Sequence, residues 1–264
     1  MIAKLFYEQR ALIIAGFTAL LGFFILAGLM FFDPTEILGI NRWIKPMKFF
    51  MSFVIFLWTV ALFLSFVKGR ESFTRVISWG IIVIYVIEMS IIVLQAARGT
   101  TSHFNVKALP DAILYAVMGI SIGISTLFIG GILYLYFRER IEFPKAIIWG
   151  IRLGIIVFLL GSFEGGYMSA QFGHSVGISD GGPGLPLVNW STIGGDLRAA
   201  HFLGLHALQA VPLFAYLIDR IKKSLAVTFT FAFAAAYVAV FFSPLHSGVD
   251  GPPIGCGFLG ILRS

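Results

Sequence analysis

The sequence predicts an all-α protein, a polytopic bundle of seven transmembrane helices, and three observations carry the prediction. Hydrophobic residues make up 58% of the 264 positions and charged ones 12%, with a mean hydropathy of +0.93; soluble domains carry roughly 25% charged residues. The apolar residues gather in seven runs of about the 20 residues that a hydrocarbon layer of roughly 30 Å asks of a helix. The connections between them alternate in character, basic in one set and rich in glycine and histidine in the other.

The first run, 11–32, follows MIAKLFYEQR with no small-residue cleavage site, so it reads as a retained span and not a removed signal peptide. The second, 44–67, opens NRWIKPMKFFMS. Pro46 suits a first helical turn, where its missing N–H costs nothing, and Lys45, Lys48 and Ser52 cluster within about 60° of one another. The third, 75–96, contains IEMSIIVLQAARGTTSHFN, with Glu88 and Gln95 on one face. A lone carboxylate at that depth costs roughly 2.5–3.5 kcal/mol on insertion scales, so Glu88 is expected to be neutral by desolvation or paired with a cation. The fourth run is 111–137.

The fifth, 145–168, ends GSFEGGYMSAQFGHSVG. A helix persisting to about residue 174 would put Glu164, Tyr167, Gln171 and His174 on one face, and Gly165 and Gly166 argue against that continuation. The segment 169–198 is rich in Gly and Pro yet carries Leu, Val and Trp190, so it reads as an ordered cap of the kind that holds ligands. The sixth run, 199–218, places Arg198, His201, His206 and Gln209 on a broad polar arc. Lipid cannot hydrogen-bond such groups, so they must face protein or a water-filled cavity. The seventh is 225–243. The tail 244–264 is too broken by Gly and Pro for another full span, although GFLGIL could pack at the membrane surface. The whole chain, 1–264, is expected to be a single transmembrane domain.

Seven spans put the N-terminus and loops 68–74, 138–144 and 219–224 on one side, with eleven Lys and Arg; the other side has seven. Positive charge favours the cytoplasm, so the N-terminus is expected inside and the C-terminus outside. All five histidines, His103, His174, His201, His206 and His246, then share the outer side. The net charge of +6 sits in short loops and is no sign of nucleic-acid binding. The single Cys256 excludes an intramolecular disulfide and a multi-cysteine metal site. No P-loop, nucleophile elbow, HExxH or haem-attachment motif occurs.

The leading functional expectation is haem b or a transition metal, zinc or copper, in the outer half, because neutral imidazole is the commonest biological metal ligand. His201 or His206 would ligate, with His103, His174 or His246 as partner. Arg198 or Arg98 would meet a propionate, Gln209 would line the cofactor, and Glu88 and Glu164 would relay protons. The second is a membrane enzyme or binding protein for an anionic or lipid-linked small molecule, with Lys45, Lys48, Arg98 and Arg198 holding the anion and a histidine with Glu88 as base and acid. A proton-coupled transporter using Glu88 and a structural subunit of a larger complex or homo-oligomer are the remaining readings. The absence of a visible internal repeat weighs against the transporter.

The phrases QAARGTTSHFN and GGDLRAAHFLGLHALQ resemble segments of a group of bacterial multi-pass inner-membrane proteins with no assigned activity. That resemblance implies a bacterial cytoplasmic-membrane setting and nothing about mechanism. Seven spans with histidines near one face also loosely resemble the zinc-dependent membrane hydrolases of lipid amides, but the ligand spacing does not reproduce theirs.

Overall fold

The computed structural model describes residues 7–185 and 188–250, those from 243 on by backbone alone. The elements in chain order are α1 (Arg10–Leu29), β1 (Glu36–Ile37), β2 (Ile40–Asn41), α2 (Ile44–Ser65), α3 (Glu71–Ala97), α4 (Leu109–Arg138), α5 (Lys145–Ala170), β3 (Ser175–Val176), β4 (Gly195–Asp196), α6 (Leu197–Ile221) and α7 (Ala226–Asp250). Seven helices are long and apolar enough to cross a membrane, and they fit a multi-pass membrane protein. The surface agrees: Leu21, Phe24, Leu127 and Phe163 each keep 60% or more of their area exposed. Apolar display on this scale is at home in lipid and a liability in water.

The chain divides into two compact units, 1–142 and 143–264. In the first, α2 packs against α1 and α3, and α4 against α3. Glycines set the close approaches: Gly16 admits the Trp58 ring, whose indole Nε1 donates to the Ile13 carbonyl at 3.3 Å. Between α1 and α2, β1 and β2 form an antiparallel hairpin pairing Ile37 with Ile40. Its two turn residues, Leu38 and Gly39, both have positive φ, which suits the right-handed twist of the flanking strands. No periodicity announces strands of two residues.

In the second unit, α5 and α6 make the most extensive contact, and α7 packs on both. Small residues line the α5–α6 seam, Gly150 against Ala215, Gly154 against Pro212 and Gly161 against Gly204. Membrane helices associate through such small faces because lipid gives no hydrophobic drive between them. One boundary, the end of α7, differs from the sequence expectation, and the end of α5 falls within two residues of it. α5 runs through Gly165 and Gly166 and stops at Ala170, so His174 lies beyond it. Tertiary packing overrides the weak helix propensity there: Gly165 lies against the His201 ring and a helix-facing side chain would not fit. α7 continues past 243, through Pro244, to Asp250. The side chain of His246, Cys256 and the 251–264 tail lie outside the described residues.

Candidate functional site

Most of the candidate polar residues gather at one end of each unit. In the second unit, the segment between α5 and α6 folds back as a cap. β3 pairs with β4 through Ser175–Asp196 and Val176–Gly195, and Leu197 N–H donates to the His174 carbonyl at 2.9 Å. Asp196 organises the segment. Its buried carboxylate is the N-cap of α6, accepting from Arg198 N–H at 3.0 Å, from Ser191 N–H at 2.8 Å and from the Arg198 guanidinium at 2.6 Å. A fully bonded buried carboxylate of this kind is the condition on which an ion pair is tolerated away from water. Arg198 also donates to the Asn189 carbonyl, so its guanidinium is committed to the cap.

His174 sits in the same network, with Nδ1 3.3 Å from Asp180 Oδ1 and 3.8 Å from Asp196 Oδ1. Asp180 accepts the backbone N–H groups of Ser175 at 2.8 Å and His174 at 3.1 Å. Burial pushes the Asp180 carboxyl up, but these bonds and the His174 imidazole together bring it below its ordinary value.

Beneath the cap, α5 and α6 bring Glu164 and His201 together. His201 Nδ1 lies 2.8 Å from the Gly161 carbonyl and 3.3 Å from Glu164 Oε2. A carbonyl oxygen only accepts, so Nδ1 carries the hydrogen and, in the neutral ring, Nε2 keeps the lone pair. That one hydrogen goes to the nearer acceptor, and Glu164 stays 92% buried with neither carboxyl oxygen hydrogen-bonded among the described residues. Unsatisfied buried carboxyls are rare in folded proteins and mark sites with work to do. His206 repeats the arrangement one and a half turns further along α6. Its Nδ1 donates to the Phe202 carbonyl at 2.8 Å, and its ring stacks on Phe202, which meets Trp190 from the cap. Tyr237 of α7 donates to the Leu203 carbonyl at 2.8 Å, and Gln209 lies half-buried further along α6.

In the first unit, His103 has the opposite polarity. Lys45 Nζ, a donor only, lies 3.2 Å from His103 Nδ1, so that nitrogen accepts and the ring hydrogen is on Nε2. Phe49, Phe104 and Tyr115 surround the ring. Arg98 NH1 donates to Asp111 Oδ1 and to Gln95 Oε1, each at 2.7 Å, and Gln95 donates to the same Asp111 oxygen at 2.9 Å. Lys48 lies on the first turns of α2 near Lys45. Glu88 is 1% exposed, and its Oε1 meets no hydrogen-bond partner among the described residues. Asp33 organises the hairpin end. Hydrogen bonds from Thr35 above all, then from Arg42 and Trp43, hold its carboxyl well below the usual range against the opposing effect of burial.

Among the described residues no group of three or more His, Cys, Asp or Glu side chains converges as metal ligands would. The organising roles of Asp33, Asp111, Asp180 and Asp196 were not read from the sequence. Asp196 alone left a signal there, an Asp directly before a helix in GGDLR. No known protein family, curated protein or solved structure matches the chain.

Proposed function

We propose that the chain is a multi-pass protein of a bacterial cytoplasmic membrane that binds haem b at the capped end of its second unit, where His201 would hold the iron. The observation that carries this reading is the His201 hydrogen-bond pattern. A ligating histidine ordinarily donates its other ring nitrogen to a carbonyl or carboxylate, which fixes the tautomer and raises the basicity of the ligating atom. His201 donates from Nδ1 to the Gly161 carbonyl at 2.8 Å, with Glu164 Oε2 at 3.3 Å on the same side. Haem is favoured over zinc or copper because porphyrin supplies four of the iron's ligands and asks one or two of the protein. Structural or catalytic zinc asks for three or four, and the described residues offer their histidines singly. Haem so held would carry electrons, while the chain's own groups orient the ligand and exclude water.

The loop-charge bias supports an outer position for the capped end. The test is the absorption spectrum of detergent-purified protein, oxidised and then dithionite-reduced, with elemental analysis of the same sample. A Soret band with a sharp reduced α-band and stoichiometric iron is expected. No such band after reconstitution with haem would overturn the reading.

One observation favours a second reading, a membrane enzyme acting on an anionic or lipid-linked molecule. Among the described residues Glu164 has two buried oxygens without hydrogen bonds beside an imidazole, and such a pair serves general acid–base chemistry when a substrate hydroxyl or amide enters. Iron-free protein whose ligand binding is lost in Glu164→Gln would select it.

A further inference from the structure

α1 and α3 both pack on α2 and touch each other only sparingly, and the space left between them is a groove of about 490 Å³. That volume lies within the roughly 300–1,000 Å³ of small-molecule sites. Its walls are Ala11, Ile14 and Ala15 from α1 and Trp79, Ile82 and Val86 from α3. α1 and α3 run in the same direction, so Arg10 and Trp79 mark one end, and the hydroxyls of Thr18 and Tyr85, 3.4 Å apart, mark the other. Thr18 is eight residues beyond Arg10, or about 12 Å along the helix.

The charge at the Arg10 end is uneven. Lys68 and Arg70, at the same end of the unit, are bound to Glu8 and Glu139 at 2.6 and 2.8 Å. Arg10 is exposed and enters no ion pair among the described residues. Trp79 is 56% exposed beside it, and exposed indole rings favour the headgroup boundary of a membrane. A cation at the membrane surface, an indole next to it and an apolar trough leading inward match the parts of one molecule.

We infer that this groove is a binding site for an anionic phospholipid, with the phosphate on Arg10 and the upper acyl chain along Ile14, Ile82 and Val86. A zwitterionic lipid fits the trough equally well but brings its own cation to Arg10, so the site discriminates by headgroup charge. The basic loops place Arg10 at the cytoplasmic face, where anionic lipids concentrate. This site is separate from the one beneath the cap, and its test does not depend on haem.

The experiment offers the detergent-purified chain an equimolar mixture of phosphatidylglycerol and phosphatidylcholine with identical acyl chains and reads the retained lipid by native mass spectrometry. The wild type should hold one phosphatidylglycerol in preference by about fivefold, the contribution of a single surface cation. Arg10→Gln should bring the preference close to unity, while Lys68→Gln, whose ammonium is already bound to Glu8, should leave it unchanged. Ala11→Phe fills the trough without altering charge and should lower retention of both lipids. In the unmodified chain, phosphatidylglycerol with brominated chains should quench a tryptophan component that Trp79→Phe removes. Equal retention of the two lipids by wild type, an undiminished preference in Arg10→Gln, or quenching indifferent to Trp79 overturns the proposal.

Discussion

Replacing Gly161 with alanine tests the packing on which the capped site depends. A β-carbon at Gly161 would stand 2.7 Å from Gly204 Cα, 2.9 Å from Gly204 C and 3.1 Å from Leu205 N. All three are backbone atoms of α6, so no side-chain rotation relieves the overlap. Ordinary contact begins at 3.4 Å, and reaching it from 2.7 Å parts the helices by about 0.7 Å. Overpacking of this kind costs about 1–3 kcal/mol, partly offset by the roughly 1 kcal/mol that alanine gains over glycine within a helix. A net loss of about 0–2 kcal/mol relative to wild type, and of about 1–3 kcal/mol beyond any helix-propensity gain, is expected, with weaker cofactor retention because the Gly161 carbonyl positions His201. Gly166→Ala is the internal control, since nothing lies within 4 Å of a β-carbon there; it should be neutral or stabilising by up to about 1 kcal/mol. Thermal unfolding followed by circular dichroism in one detergent measures both. Gly161→Ala matching or exceeding wild type while Gly166→Ala gains nothing would refute the α5–α6 seam described above.

Other substitutions report on other parts of the structure. Glu164→Gln removes the carboxylate 3.3 Å from His201 Nδ1 but leaves the bond to the Gly161 carbonyl in place, so haem affinity should fall by no more than about tenfold, the low end of the effect of outer-shell partners, read by haem titration. Asp196→Ala removes the α6 cap and leaves Arg198 and Ser191 N–H without their acceptor; a loss of about 3 kcal/mol is expected in the same thermal assay. Glu88→Met should stabilise by about 1–3 kcal/mol, because it removes Oε1, a buried oxygen with no hydrogen-bond partner among the described residues; a loss of stability would show that Glu88 is satisfied. Asp180 titrates lower in the fold than its ordinary value of 3.8, so the folded state binds fewer protons there than the unfolded state does. Its contribution to cap stability is complete above that value and fades as the pH falls through the lowered one. Amide exchange at Ser175 should accelerate only on that acid side, and acceleration on raising the pH from 5 to 8, beyond the intrinsic base catalysis of exchange, would contradict the assignment.

The seven long apolar helices were legible because apolar runs of about 20 residues between polar breaks are bounded by their own composition, and the limits of α2 at Ile44 and α3 at Ala97 fall within a few residues of expectation. The two short antiparallel strand pairs were not legible, since strands of two residues carry no period. Glu164 and His201 stood out one at a time, by the cost of polar groups in apolar runs. Their meeting was hidden because it depends on the crossing of α5 and α6, although glycines at 150, 154, 161 and 165 marked the seam. Arg98 and Arg198 looked like anion ligands because cations are conspicuous in sequence. Asp111 and Asp196, which bind them, could be matched to them only in three dimensions.

The central claim is that His201 Nε2 ligates haem iron, and the direct measurement is the haem content of His201→Gly with and without added imidazole. The account predicts wild type with one haem, the variant with its Soret band lost, and the band restored when free imidazole occupies the vacated position. A variant that keeps the wild-type spectrum, with or without imidazole, would contradict it and assign His201 to packing beneath the cap.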